Sequence, residues 1–343
     1  MGSDLGDLIE TEEISFKEMN DRKIGIDAMN TLYQFLSIIR QRDGTPLKDS
    51  SGQVTSHLSG LFYRTGKLLR KNIKPLYIFD GEAPELKSKE AKERRKKREK
   101  AREEWKQLKK EGKMKKAYKK ATQSSRLTED MVVESKKLLD AMGVPYIQAP
   151  SEGEAQAAWM SSRGMIWAVG GQDWDSILFG ADRLVRNLTI TGKRKVPGKK
   201  KYRKVVPEKI ESEEALEQLG IGREKLIWIA IMIGTDFDPG GVKGIGPKTA
   251  IDLVEEHDSF EDLLGHEKLA DWEPENDPHS ILEFFMDPPI DESVDFEFGS
   301  PDRDQIVEVL VDQHDFSEDR VNSTAEKIEE SMKESQKGLG NYL

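Results

Sequence analysis

Three short apolar runs in this chain, KIGID, KPLYIFD and MIWAV, lead into aspartates: Asp27, Asp80 and, a few residues on, the pair Asp173 and Asp175. An unpaired carboxylate is expensive to bury, so each strand must reach the surface where its acid appears. Between the first two runs, AMNTLYQFLSIIR and SHLSGLFYRTGKLLRK carry apolar residues at helical spacing. Further on, Thr128 reads as the N-cap of a helix over EDMVVESKKLLDAM, with Gly143 as its stop and Pro145 just beyond. A strand at PYIQ, a helix at SEGEAQAAWMSSRG and the strand MIWAV come next. Strands alternating with helices predict an α/β fold with a mainly parallel central sheet, flanked by helices on both faces. In such sheets, ligands bind at the carboxyl ends of the strands.

That rule gathers the acids of the chain. Asp27, Asp80, Asp173 and Asp175 fall at or just past strand ends, Glu152 and Glu154 fall in the first turn of the helix after the third strand, and Asp236 closes the run IAIMIGTD. Each has an ordinary explanation as well. Ser151-x-x-Glu154 matches a capping box, Asp27 and Asp80 can start turns, and Asp175 can cap the turn after it. Seven carboxylates on one rim, however, repel one another unless cations compensate them. With no cysteine and five histidines in the chain, the natural ligands are oxygens, and hard ions such as Mg²⁺ take oxygen ligands. Two such ions suit in-line phosphoryl displacement. No 12-residue loop of the EF-hand type is present.

The net charge of −10 conceals an asymmetry. Lys87 to Lys120 holds 18 Lys and Arg against 6 Glu, a local +12 that leaves −22 on the rest, and TGKRKVPGKKKYRK (191–204) adds eight cations without an acid. Acidic bulk with two concentrated basic segments points to a polyanionic partner met at defined places; a solvated helix with Glu/Lys pairs accounts equally for the first run. In GGVKGIGPKTAIDLVEE, glycines precede a helix starting near Pro247, an arrangement in which backbone N–H groups can approach a phosphate. Together with REKLIWIAIMIG it reads as a helix–turn–helix clamp on a nucleic-acid backbone, or as a plain turn between helices that needs no ligand. No apolar run approaches the roughly 20 residues that cross a bilayer. The stretch MGSDLGDLIE lacks the basic and apolar blocks of a signal peptide, so an intracellular protein without a membrane partner is expected.

The segments IGIDAMNTLYQFL, SHLSGLFYRT, KPLYIFDGEAPELK, QAPSEGEAQAAWM, QDWDSILFG, VRNLTITGKRK and IGTDFDPGGVKGIGPKTA, in this order over nearly the whole chain, resemble the motifs of the flap endonuclease family of structure-specific 5′ nucleases. The resemblance implies a two-metal phosphodiesterase that cuts branched DNA at a 5′ flap near the single-/double-strand junction and leaves a ligatable nick. An associated 5′-3′ exonuclease activity, and roles in lagging-strand maturation and long-patch base excision repair, go with it. Carried over by motif position, Asp27, Asp80, Glu152 and Glu154 bind mainly one Mg²⁺, and Asp173 and Asp175 with Asp236 the other, Mn²⁺ being able to substitute. Lys87 and Arg94, seven residues or about two helical turns apart, match cations that contact the scissile phosphate and join Asp173 and Asp175 in the catalytic set. Tyr33 matches an aromatic that stacks on a base, although a core tyrosine fits that position too. Arg40 and Thr55 flank QRDGTPLKDSSGQVT, which resembles the pocket for a one-nucleotide 3′ flap. Gly234, Gly240, Gly244, Gly246 and Lys248 match the duplex clamp, with one K⁺ on backbone oxygens.

The organisation expected from this resemblance is a single nuclease domain over 1–332, with a basic helical arch at 86–125 and a helix-two-turn-helix clamp at 223–257. A flexible tail at 333–343 completes it. Its QKGLGNYL looks like a peptide for the sliding clamp PCNA through Gln336, Leu339, Tyr342 and Leu343. Two positions depart from the family pattern: Trp174 stands where tyrosine is common, and Leu343 where a second aromatic usually ends the tail. The absence of the basic extension that eukaryotic members of the family carry suggests an archaeal, cytoplasmic protein, with a nuclear location the alternative for a eukaryotic one; a monomer is expected. Alternatives are a related 5′ exonuclease or excision-repair nuclease, the latter with a longer insertion in place of 87–120, and a non-catalytic DNA-binding clamp adaptor. An adaptor would be indicated by a lost metal carboxylate, and all seven are present.

Overall fold

The computed structural model describes residues 5–41, 43–189, 192–195 and 202–340, with backbone alone at 88–92, 94–95, 192–195, 202–204 and 334–340. In chain order its elements begin with β1 (Glu12–Glu13), β2 (Lys23–Asp27), α1 (Ala28–Ile38), α2 (Ser56–Leu69), β3 (Lys74–Phe79), α3 (Ser88–Lys110), α4 (Met114–Gln123), α5 (Glu129–Ala141) and β4 (Tyr146–Gln148). Next come α6 (Gly153–Ser162), β5 (Ala168–Gly171), α7 (Asp175–Leu178), β6 (Arg183–Arg186), β7 (Gly192–Lys195), β8 (Tyr202–Val205), β9 (Glu208–Glu211), α8 (Ser212–Leu219) and α9 (Arg223–Ile233). The chain continues through α10 (Pro247–Glu256), α11 (Phe260–Leu264), α12 (Pro278–Met286), α13 (Arg303–Val307) and α14 (Glu318–Gly340). The fold is the expected α/β type, a mostly parallel sheet flanked by helices. Its contacts form two compact units that alternate along the chain where the sequence suggested one domain. The β2 unit comprises Phe16–Phe79, Lys92–Ile147 and Ser293–Leu343, and the β5 unit Met1–Ser15, Asp80–Ala91 and Gln148–Glu292.

In the β2 unit, β2 and β3 run parallel with Lys23 opposite Lys74 and Asp27 opposite Ile78. Their continuous apolar runs make them strands covered on both faces, and Ile24, Ile26, Leu76, Ile78 and Phe79 are all buried. Asp27 ends β2 and starts α1 at once, because its Oδ1 accepts the Asn30 N–H at 2.9 Å as an N-cap. Helix α1 turns Leu32, Phe35 and Leu36 inward, and α2 receives Phe35 where Gly60 has no side chain. Helix α5 is capped by Thr128, whose Oγ1 accepts from Met131 N–H, and the left-handed Gly143 comes just after it, as the sequence predicts. The basic run is two helices, α3 and α4, separated by Gly112 at φ +70°.

The β5 unit orders its strands β1–β9–β6–β5. Strands β5 and β6 are parallel, while β9 is antiparallel to both β6 and β1. The strand expected over MIWAV begins only at Ala168. The amides of Met165 and Ile166 instead donate to the Met160 carbonyl as part of the exit turn of α6, and β5 extends to Gly171, two residues short of Asp173. Helix α9 is apolar all round and buried from Leu226 to Met232, as a helix at the centre of a unit must be. With α10 it frames the expected clamp turn. Among the described residues no helix is long and apolar enough to cross a membrane.

A Cβ on Gly60 would lie 2.2 Å from Phe35 Cγ, so Gly60→Ala must push α1 away from α2. A loss of about 1–3 kcal/mol is expected, read as a lower midpoint in chemical denaturation; an unchanged midpoint would show that this contact yields freely.

Candidate metal centre

Six of the seven candidate acids belong to the β5 unit, and they arrive there by different routes, at strand ends, at the start of α6 and beyond α9. Asp80 is the first residue after β3. Its Oδ1 accepts the N–H of Gly153, the first residue of α6, at 2.8 Å. The capping box suggested by Ser151-x-x-Glu154 does not form: the N-cap residue is Glu152, and it makes no side-chain cap bond. The carboxylate of another strand end has taken that place, which leaves Glu154 with Oε1 near Gly171, the last residue of β5. Gly81 allows this closeness, since a Cβ there would sit 2.1 Å from the Ala149 carbonyl oxygen.

Lys87 closes the short turn Glu85–Lys87 ahead of α3. Its Nζ lies 2.6 Å from Glu152 Oε2 and 3.9 Å from Asp236 Oδ2. Burial by itself would lower the ammonium's pKa, but the charge and hydrogen bond of Glu152, with Asp236 and Glu154 behind it, raise it above the ordinary lysine value. Lys87 is therefore a fixed positive charge. Asp80 experiences the reverse situation. Burial first, and then the neighbouring charge of Glu152, push its carboxyl up to about 6, against the opposing effects of Gly153 N–H and Lys87.

Asp173 and Asp175 lie across a short loop from the end of β5, and Asp175, at the head of α7, is 6% exposed. The side chain between them, Trp174, is buried, and the Arg186 guanidinium lies 4.5 Å over its ring while Arg186 Nε donates to the Gln172 carbonyl. Arg186, at the end of β6, thus fixes the QDWD loop on the neighbouring strand. Sequence reasoning missed it, and also missed Asn276, whose Nδ2 donates to the carbonyls of Leu86 and Phe237. Those two residues adjoin Lys87 and Asp236, so one amide ties the cation's turn to the acid's turn. The parallel pairing of β5 and β6 was a usable sign for Arg186; nothing local marks Asn276.

Among the described residues, no three carboxylates already converge on one point. The donor set nevertheless fits hard divalent ions. It consists of carboxylate oxygens without imidazole or thiolate, and an ammonium already sits where added positive charge would be favourable.

The remaining predicted residues occupy varied places. Asp27 closes β2 in the β2 unit and caps α1. Arg94 lies on α3, where only the backbone is described. Tyr33 is half-buried, with the Arg98 guanidinium 5.1 Å over its ring, so it is not a core tyrosine. Arg40 uses Nε on Leu36 O, one terminal nitrogen on Gly44 O and the other on Ser125 Oγ, which makes it a staple of the loop after α1. Thr55 is buried as the N-cap residue of α2. Gly234, at φ +109°, has a packing reason, since its Cβ would lie 3.0 Å from the Pro239 carbonyl oxygen. Gly240, Gly244 and Gly246 face open space, and Lys248 is exposed. Helix α14 runs to Gly340, so the backbone at Gln336 and Leu339 continues it where a flexible tail was expected; Tyr342 and Leu343 lie outside the described residues.

Comparison with known proteins adds to this geometry. The family model XPG N-terminal domain matches residues 4–101, and the model XPG I-region matches 143–236. The chain is 49% identical over 333 residues to flap endonuclease 1 of Pyrococcus furiosus, covering 97% of this chain and 96% of that one. It is 47% identical over 346 residues to flap endonuclease 1 of Aeropyrum pernix, covering 100% and 99%. Among solved structures, flap endonuclease-1 from Methanococcus jannaschii superposes with a TM-score of 0.76 at 42% identity, over 97% of this chain and all of that one.

The Asp80 shift has a measurable sign. Between the unfolded-state value near 4 and about 6, the folded chain retains a proton that the unfolded chain has released. Stability without metal should therefore fall as pH rises through that window and stay lowered above it. In EDTA, Asp80→Asn is expected to melt above wild type at pH 8 and to match it below pH 4. A variant that melts at or below wild type at pH 8 would refute this account of Asp80.

Proposed function

The chain belongs to the flap endonuclease family and is a metal-dependent nuclease; from that premise we propose that it hydrolyses branched DNA at 5′ flaps with two Mg²⁺, or Mn²⁺, held by its strand-end carboxylates. Asp27, Asp80, Glu152 and Glu154 would hold one ion, and Asp173, Asp175 and Asp236 the other. When bound, such ions supply a nucleophilic hydroxide at neutral pH and charge to stabilise the leaving oxygen. The observation that carries the reading is Lys87, a half-buried ammonium held among Glu152, Asp236 and Glu154.

The chain's own residues complete the chemistry. Lys87, with its charge secured by the acids around it, can hold a non-bridging oxygen of the scissile phosphate and neutralise charge developing there. Arg94, about two turns further along, would hold the same phosphate from the arch. Tyr33, already beneath a guanidinium, offers its face to the base beside the cut. At the clamp, the first-turn amides of α10 lack intrahelical acceptors, and the open space at Gly240, Gly244 and Gly246 lets a DNA backbone approach them. One K⁺ on carbonyl oxygens of that turn would help to hold the phosphate. The segment 41–55 is read as the pocket for a single 3′ nucleotide, with Arg40 shaping it rather than touching DNA.

This assigns the protein to removal of 5′ flaps in lagging-strand maturation and long-patch base excision repair, with 5′-3′ exonuclease activity on the same site, as a monomer in an archaeal cytoplasm. The residues from Gln336 to Leu343 are read as the PCNA peptide, inserting Leu339, Tyr342 and Leu343 into an apolar pocket.

A double-flap DNA with one 3′ nucleotide tests the reading. One Mg²⁺-dependent cut that leaves a ligatable nick is expected, with no cut in EDTA. Asp173→Ala and Asp175→Ala should abolish cutting while the DNA Kd stays within a few-fold of wild type; normal turnover in either would refute the metal assignment. Lys87→Ala should slow single-turnover cleavage by about 10²–10³, and an unchanged rate would remove Lys87 from the chemistry. Deleting 336–343 should eliminate stimulation by PCNA and leave intrinsic cutting intact; equal stimulation of the shortened chain would refute the tail assignment.

A further inference from the structure

Two histidines and two carboxylates alternate in a largely buried chain within the β2 unit. His57 on α2 is fully buried, with Nε2 3.0 Å from Glu134 Oε2 on α5. Glu134 Oε1 lies 3.7 Å from Nε2 of His314, and His314 Nδ1 lies 3.0 Å from Asp49 Oδ2. The side chains of His314 and Asp49 are 5% and 1% exposed, although the turn residues beside Asp49, Ser50 to Gln53, lie on the surface. The next residue repeats the attachment. Asp315, held at φ +57°, accepts the Ser50 N–H on Oδ2 at 2.6 Å.

An enclosed carboxylate needs donors. Asp49 Oδ1 has two from its own turn, the Gln53 N–H and the Ser51 hydroxyl. These bend the turn but fasten it to nothing else. Oδ2 has His314, which stands between α13 and α14, and this hydrogen bond is the largest reason that the Asp49 carboxyl is held at about 2. Glu134, itself bonded to His57, faces the far side of the His314 ring, so the ring is constrained at both nitrogens.

We propose that His314 and Asp315 form a latch that positions the turn 48–54, and through it the pocket that receives the DNA 3′ nucleotide. The proposal rests on reading 41–55 as that pocket. His314 is a positioning residue: it acts on the substrate through Asp49 and the turn amides. Without it, Oδ2 is left enclosed and undonated, and the turn must open to hydrate it.

The test uses the full-length protein and two variants, His314→Phe, which removes the donor, and His314→Asn, whose side-chain amide takes the place of Nδ1. Amide hydrogen exchange at Ser50 and Gln53 reads the latch. Cleavage of a double flap with one 3′ nucleotide, and of a single flap without it, reads its use. In His314→Phe, exchange at both amides should quicken about tenfold and KM for the double flap should rise about tenfold, the scale of one hydrogen bond to a charged group. The kcat on both DNAs and KM for the single flap should stay at the wild-type level, which also reports correct folding. His314→Asn should recover most of both losses. Unchanged exchange in His314→Phe overturns the latch. Faster exchange with an unchanged double-flap KM overturns its positioning role. A wild-type protein that handles both DNAs with equal KM overturns the pocket reading and the positioning role with it, while the exchange data still decide whether His314 holds the turn.

Discussion

Buried carboxylates need positive charge close by, and in the β5 unit the Lys87 ammonium supplies it. With Nζ 2.6 Å from Glu152 at the start of α6 and 3.9 Å from Asp236 beyond α9, it offsets repulsion that would otherwise force these two segments apart. One consequence is that Glu152 and Asp236 lie close to a shared cation. Another is that Lys87 is held cationic, while burial and the charge of Glu152 push the Asp80 carboxyl up to about 6. Carboxylate oxygens beside an ammonium are also the donor type that hard divalent cations take.

Backbone economy gives the acids at strand ends a second use. Asp27 ends a strand and caps a helix with one side chain. Asp80 ends a strand and takes the first amide of α6, and Gly81 removes the side chain that would keep the two segments apart. Residues outside the acid set hold the loops in place. Arg186 grips the QDWD loop through Trp174 and the Gln172 carbonyl, and Asn276 joins the turns of Lys87 and Asp236. In the β2 unit, Arg40 plays a comparable part, spending its guanidinium on Leu36, Gly44 and Ser125.

Much of this was legible in advance, and the reasons are local. The runs at Ile24–Ile26 and Leu76–Phe79 are continuously apolar, and the period of α1 and α2 sets their inward faces, so strands, helices and their order come from burial and spacing. The helix over 129–141 was bounded by its own Thr128 and Gly143. Errors arose where a tertiary contact competed with local pattern. Met165 and Ile166 look like strand residues, but the Met160 carbonyl at the end of α6 claims their amides. Ser151-x-x-Glu154 looks like a capping box, but Asp80 takes the helix's first amide from outside.

By itself, the sequence determined the class of fold, the strand ends at which acids must surface, and the oxygen-only chemistry of the candidate metal set, because each depends on what a residue type can tolerate when buried. Only the tertiary structure decided which carboxylate Lys87 pairs with, that Asp80 is the one pushed towards neutrality, that Arg186 and Asn276 hold the site's loops, and that His314 reaches Asp49. Those depend on distances between groups up to 265 residues apart in the chain, and both desolvation and Coulomb energy are set by such distances rather than by residue identity.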